Sequence, residues 1–306
     1  MKGHSRMQVS QQVPDKAFTH SGKFHADDVF SAALLTYLNP NITIERGLEV
    51  PEDYGGIVFD IGGGEFDHHQ EGAPVRENGN PYAAFGLLWR KFGRLILKEE
   101  EAEKFDESFV QYLDLSDNIG SRHEIAEVIS LFNPVWDSGE DSNECFKEAV
   151  NFAKTILEKK FIRIESVERA EVVVKEALEH AENNIAVLST GVPWRKFIIG
   201  TDIEFVISPS ERGGYTAQGI PIDRDNNGLK ISFPESWRGK RDDELKDISG
   251  IETLHFCHKS GFLISANTIE DTIKACRLAK EIHNKNISLT AEKEEDKEKI
   301  NELQPT

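Results

Sequence analysis

Gly56-Ile57-Val58-Phe59-Asp60-Ile61-Gly62-Gly63-Gly64-Glu65-Phe66-Asp67-His68-His69 is the stretch on which the reading of this chain turns. Its first half, Gly56 to Ile61, is a short apolar run bounded by glycines, the pattern of a buried strand. Asp60 is thereby delivered to the carboxyl edge of a parallel sheet, where open α/β folds gather their ligands. The three glycines allow a tight turn, which presents Asp67, His68 and His69. Two adjacent histidines after an aspartate are seldom needed for packing, and they suit a divalent cation.

Working upstream, Ala17 to Asp28 reads as a strand, a polar loop and the start of a helix continued by Val29, Phe30, Ala32, Ala33, Leu34, Leu35 and Leu38. His20, His25 and Asp27 fall in that strand-to-helix turn. The simpler account of Asp27 and Asp28 is that of helix N-terminal acids favoured by the macrodipole. Ile42 to Glu45 reads as a second strand. Downstream, Tyr82 to Leu97 is an amphipathic helix with core aromatics, and Phe109 to Asn118 is a further helix. The latter puts Asp114 and Asp117 on one face. Asp117 is a candidate ligand, whereas Asp114 reads either as a ligand or as a solvated acid. With no thiolate in the set, these N and O donors suit Mn²⁺, with Mg²⁺, Co²⁺ or Zn²⁺ as alternatives. Two such ions roughly 3.5–4 Å apart, bridged by one carboxylate, are equipped to hydrolyse phosphoesters.

The chain of 306 residues is long enough for two domains, and its 38% hydrophobic and 29% charged residues are those of a globular protein. The expected organisation is a metal-binding α/β domain over 15–140, a helical connector over 141–184, a smaller α+β domain over 185–290 and a flexible tail over 291–306. Residues 1–14 read as a flexible lead. In the second half, Ala186–Leu188, Phe197–Ile199, Glu204–Ile207, Leu229–Phe233 and Thr253–Phe256 read as strands, and Thr268–Ile282 as a helix. No apolar run approaches the roughly 18 residues of a membrane span. Met1 to Gln12 lacks the apolar core of a secretion signal. Three scattered cysteines point to a reducing cytoplasm. A net charge of −18 argues against a broad surface for gripping duplexes, so a nucleic-acid substrate has to be short or single-stranded. A homo-oligomer is compatible with these features. His123, His180 and His283 lie outside any cluster and read as solvated.

The order His20-x-x-x-x-His25-x-Asp27, Asp60 after a strand, Asp67-His68-His69, then Asp117 resembles the DHH phosphoesterase superfamily. Within it, the chain is most similar to the melanocyte-proliferating-gene protein family of metal-dependent RNA exonucleases. The likeness covers about Thr19 to Ala279 and includes Leu131-Phe132-Asn133-Pro134-Val135-Trp136, Pro234-Glu235-Ser236-Trp237-Arg238-Gly239 and His258-Lys259-Ser260-Gly261-Phe262. It implies an N-terminal parallel-sheet DHH domain and a substrate-binding second domain, closing on short single-stranded RNA that is cut 3′ to 5′. It also implies that His20 and His25 hold one metal, that Asp27 and His68 hold the other, and that Asp60 bridges them. Asp117 completes the set, His69 acts beside the scissile phosphate, and Asp67 orients a histidine. The superfamily often carries aspartate where His25 stands, which lowers the negative charge at one metal here. Arg238, Lys240, His258, Lys259, Ser260 and Gly261 are the expected substrate grip, with Trp237 either a stacking platform or a packed residue. Relatives carry a glycine pair where this chain has Ile264-Ser265. Two alternatives remain: hydrolysis of a small compound such as pyrophosphate or a dinucleotide, and a non-catalytic metal-binding regulatory protein.

Overall fold

A computed structural model describes residues 13–302 apart from 224, 226 and 227, with side chains through residue 290. The chain divides into two compact units, residues 1–165 and 166–306. The expected flexible lead falls outside the described residues up to position 12. Val13, at its end, is buried in the first core, and Asn39 Nδ2 donates to its carbonyl at 3.1 Å.

The first unit is built on three parallel strands: β1 (Lys16–His20), β2 (Thr43–Gly47) and β3 (Ile57–Val58). β1 lies in the middle, with Lys16 opposite Thr43 on one side and Ala17 opposite Ile57 on the other. The ladder of β3 is shorter than the expected Gly56–Ile61 run, because Asp60 leaves it with φ +58°. Between β1 and β2 runs α1 (Ala26–Leu38), where Val29, Phe30, Ala32, Ala33, Leu34 and Leu35 have no exposed surface. A helix apolar on every side has to be covered on every side. The cover comes from α2 (Ala84–Phe92), α4 (Gln111–Ile119) and α5 (Glu124–Ser130), with α3 (Glu99–Phe105) leading through a π-turn into α4. Phe30 meets the rings of Phe85 and Phe109 at 5.5 and 5.4 Å. Each such side chain stabilises the unit by about 1.5–3 kcal/mol, so the N-terminus of α1 is a firm base for Asp27 and Asp28.

Helix α6 (Ser142–Glu179) runs unbroken, and the division between units falls within it. The second unit then has a five-stranded mixed sheet from β4 (Ile185–Val187), β5 (Phe205–Pro209), β6 (Tyr215–Gly219), β7 (Leu254–Cys257) and β8 (Leu263–Ala266). Its order is β4-β5-β6-β8-β7, with β4 and β5 parallel and the other pairs antiparallel. Helices α7 (Arg195–Ile198), α8 (Asp242–Ser249) and α9 (Ile269–Glu302) complete it. Two expected strands are absent. Phe197–Ile199 instead belongs to the helical turn α7 and its cap, since a three-residue apolar run has no period to tell the two apart. Leu229–Phe233 splits its backbone bonds between Ile220 and Gly261 and so pairs along no single neighbour. Conversely, β6 and β8 were not legible: Tyr-Thr-Ala-Gln-Gly and Leu-Ile-Ser-Ala carry few large apolar groups, yet they lie inside the sheet. The helix expected at Thr268–Ile282 continues to Glu302, and the last four residues of the expected tail lie outside the described residues. Among the described residues, no helix is long and apolar enough to cross a membrane.

Candidate functional site

The parallel sheet brings two segments to one edge. His20 is the last residue of β1, and Asp60 lies just past β3, reaching back through its left-handed backbone. That conformation is uncommon for a non-glycine residue, and aspartate is among the few that tolerate it. Three overlapping trios have ligand-type atoms within 4.8 Å of one another: His20, Asp28 and Asp60; Asp60, His68 and His69; Asp27, His68 and Asp117. Asp60 and His68 each belong to two of them. His25 belongs to none: its Nδ1 lies 4.0 Å from Asp117, and its ring centre 6.4 Å from that of His20. A cavity of about 520 Å³ opens over the group, bordered by His25, Gly62, His69 and Asp117. Asp114 stands apart, pairing with Arg76 at 2.6 Å and accepting from Gly86 N at 3.1 Å.

Whether these residues fit a metal is decided by the histidine tautomers. His20 Nδ1 is 3.1 Å from the carbonyl of Ser21, and His68 Nδ1 is 3.1 Å from Asn118 Oδ1. The Asn118 amide is oriented by Nδ2 donating to the carbonyls of Tyr82 and Asp114 at 3.2 and 2.9 Å. Both Nδ1 atoms thus face acceptors and carry the proton. Each neutral ring then directs an Nε2 lone pair at carboxylate oxygens. His20 Nε2 is 3.2 Å from both Asp28 and Asp60, and His68 Nε2 is 3.2 Å from both Asp60 and Asp117. Lone pairs so placed repel unless a cation lies among them, either a second proton on each ring or a divalent metal. The donor set therefore fits the metal. Because Asn118 holds His68 with Nε2 toward Asp60 and Asp117, Asn118→Leu is expected to weaken any Mn²⁺ binding there about 10–100-fold, as loss of such an orienting bond commonly does. Isothermal titration of the metal-stripped protein reads it, and an unchanged affinity removes the role.

Without metal, protons take the place of the cation. Hydrogen bonds to Asp28 and then Asp60 raise His20 to about 10. Burial opposes charging of His68, but Asp117 and Asp60 raise it to about 11. Burial would raise Asp60, yet His20 and His68 hold it down at about 2. Burial, and then the charges of Asp60, Asp117 and Asp114, drive Asp27 well above its usual range. His20 and His68 hold their protons more tightly in the folded than in the unfolded chain. In metal-free protein their contribution to stability is fully present below the unfolded value of 6.5 and is lost as pH rises through about 10. A divalent cation among these groups would have to displace those protons, so Mn²⁺ affinity is expected to rise between about pH 6 and about pH 8. Titration calorimetry in two buffers of different ionisation heat counts the protons released, and none released would contradict this.

The surrounding loop is tied from distant positions. Arg46 donates to the carbonyls of His20 and Gly22 at 3.1 and 2.9 Å. Asn133 clasps Phe24, accepting from its N–H at 2.9 Å and donating to its carbonyl at 2.8 Å. Asp67 accepts from Gly63 N at 2.7 Å and orients His69 through Nδ1 at 2.8 Å. Both oxygens of Asp27 accept from the first N–H groups of α2, Ala84 at 3.0 Å and Phe85 at 2.8 Å. Asp28, Arg46 and Asn118 had no assigned place at the site from sequence. Adjacency to a candidate ligand, of Asp28 to Asp27 and of Asn118 to Asp117, was the signal for two of them.

In the second unit, Arg238 and Ser260 line a cavity of about 510 Å³ together with Arg195 and Ser232. Arg238 donates to Ser232 Oγ at 2.9 Å and to the carbonyl of Phe233 at 3.2 Å. His258 Nδ1 meets Ser260 Oγ at 2.8 Å, Lys240 is paired with Glu244, and Lys259 is exposed. Gly261 has φ +72°, and a Cβ there would lie 2.6 Å from Arg238 Nε, so this glycine is required by the packing of Arg238. Trp237 is only 2% exposed and packs in the core, which rules out the stacking platform. Ile264 is a buried strand residue opposite Cys257 and Ala217.

The profile of the family MYG1_exonuc, described as an uncharacterised protein family (UPF0160), matches residues 16–280. The MYG1 protein of Schizosaccharomyces pombe is 27% identical, over 86% of this chain and 97% of the relative. That of Dictyostelium discoideum is 28% identical, over 83% and 93%. The relative in Homo sapiens, called MYG1 exonuclease, is 27% identical over 89% of this chain and 87% of its own. No solved structure matches.

Proposed function

We propose, from the premise that this chain belongs to the MYG1 (UPF0160) family, that it is a two-metal phosphodiester hydrolase of DHH type, acting as a 3′–5′ exonuclease on short single-stranded RNA. The observation that carries the reading is the pair of Nε2 lone pairs, on His20 and His68, directed into the carboxylates of Asp28, Asp60 and Asp117. The exonuclease name of the mammalian relatives supports the reaction class.

His20, Asp28 and Asp60 would hold one divalent cation and Asp27, His68 and Asp117 the other, with Asp60 between them; His25 stands at the rim. Bound there, Mn²⁺ or a similar ion supplies Lewis-acid activation of water and neutralises phosphate charge. The remaining work belongs to the chain. Asp67 fixes His69 over the cavity, where the imidazole can donate a hydrogen bond or a proton to a phosphate oxygen or the leaving group. Asn118 fixes His68, and the backbone amides of α2 fix Asp27. Arg238, Ser260 and His258, together with Lys240, Lys259 and the Gly261 turn, offer a phosphate grip in the second unit.

The test is turnover of a 5′-labelled single-stranded RNA by metal-stripped protein reloaded with Mn²⁺, with His68→Ala alongside. Stepwise loss of 3′ nucleotides, absent in the variant, is expected. No cleavage of RNA but release of phosphate from pyrophosphate or cleavage of a dinucleotide would replace the RNA substrate with a small one.

A further inference from the structure

The His25–Asp117 pair has open space on two sides. One is the cavity under His69. The other, of about 440 Å³, begins at the same two side chains and runs between α4 and α5, bounded by Leu113, Ser116, Ser121, His123, Ala126 and Ser130. Its size is that of a small-ligand pocket. We propose that this second cavity is a nucleoside pocket, receiving the sugar and base of the nucleotide whose phosphate lies at the Asp60 cluster. As a substrate subsite it rests on the hydrolase reading above.

The lining selects against phosphate and for a neutral, flat, hydrogen-bonding group. Arg122 is the one guanidinium among the lining residues, and it is held by Glu127 at 2.6 Å. The end nearest the cluster is formed by Asp27 and Asp117, whose carboxylates would be taken up by the proposed cation and supply no contact for an anion inside the pocket. What remains is mixed: the apolar side chains of Leu113 and Ala126, the hydroxyls of Ser116 and Ser121, each able to donate or accept, and that of Ser130, which donates to the Glu127 carbonyl at 2.7 Å and so offers an acceptor. His123 adds an aromatic ring. The sequence left it as a solvated residue, yet it stacks on Tyr112 at 21° and meets Phe109 edge-on, and its Nδ1 is buried with no hydrogen-bond partner among the described residues. Burial also lowers its pKa, which favours the neutral ring. Few polar groups around partly apolar walls are the usual chemistry of a site for an uncharged organic ligand. Because the cavity shares Asp117 and Asp27 with the cluster, a nucleoside in it places its own phosphate beside the ligand set without any anionic contact inside the pocket.

The experiment is calorimetric titration of the full chain, with Mn²⁺ present, using adenosine 5′-monophosphate, cytidine 5′-monophosphate and inorganic phosphate. Two variants fill the cavity from different elements, Ala126→Phe on α5 and Ser121→Phe in the preceding loop. Wild type is expected to bind the nucleotides at least tenfold more tightly than phosphate, and each folded variant to lose at least tenfold in nucleotide affinity with phosphate affinity unchanged. Should Ala126→Phe lose its cooperative melting transition, Ser121→Phe decides. Equal affinity for phosphate and nucleotide in wild type overturns the pocket, as does full nucleotide affinity in a folded filled variant. Nucleotide binding that the variants abolish, in a protein that cleaves no phosphodiester, would keep the pocket and remove the hydrolase.

Discussion

Asp60→Ala is expected to abolish turnover, lowering kcat by about 10³-fold or more, or about 4 kcal/mol of transition-state stabilisation. Asp60 is the residue shared between clusters: one oxygen lies 3.2 Å from His20 and the other 3.2 Å from His68. Removing it takes a ligand from both proposed cations at once. Asp60→Asn separates charge from shape, because asparagine tolerates the φ of +58° that this position imposes. Asp60→Asn should therefore fold as wild type while still losing most Mn²⁺ binding. Direct titration of Mn²⁺ with both variants, beside single-turnover RNA cleavage, checks the expectation. Wild-type metal affinity in folded Asp60→Asn would show that Asp60 does not hold metal through its charge.

The largest effect on stability is expected from Arg76→Leu. Arg76 is 8% exposed and binds Asp106 through two bonds, of 2.9 and 2.7 Å. The same guanidinium reaches Asp114 at 2.6 Å and lies 3.9 Å over the ring of Tyr82. Without it Asp114, which has no exposed surface, becomes an unpaired buried carboxylate, at a cost of roughly 3–5 kcal/mol. For a unit of this size that is a fall in Tm of roughly 6–20 °C. Burial already raises Asp114 to about 7, with Arg76 opposing. A raised carboxylate destabilises the fold as pH rises from its unfolded value through its folded one, and losing Arg76 moves that window upward. Arg76→Leu should thus be less damaging near pH 5 than near pH 8, and adding Asp114→Asn should recover much of the loss. Thermal melts of the three proteins at both pH values check this; equal losses at the two pH values would contradict it. The damage should spread to the site, since Asp114 and Asp27 together cap the first turn of α2 through Gly86, Ala84 and Phe85. No side chain can be added at Gly86, where a Cβ would stand 2.0 Å from Asp114 Oδ2.

The candidate ligands were legible because their chemistry is carried by residue type and by position after an apolar strand. Asp28 shows the limit of that reading. It follows Asp27 directly and looked like a helix-favouring acid, yet successive residues at a helix start diverge, so Asp27 turns to the amides of α2 while Asp28 turns to His20. Trp237 and Arg238 diverge in the same way, one into the core and the other onto a cavity. β6 and β8 were hidden for a different reason. Inside a sheet, backbone pairing on both edges holds a strand whose own side chains are small or polar.

By itself, the sequence determined a mixed α/β chain, a parallel strand–helix unit followed by an α+β one, and the set of acidic and imidazole groups available to a cation. Side-chain type and periodicity settle those locally. Only the tertiary structure decided which groups converge, that Asp114 serves Arg76, that Asn118 sets the tautomer of His68, and that Asn133 secures the His25 loop from 109 residues away. A partnership over such a separation is fixed by the packing of whole elements, and no local pattern in the chain encodes it.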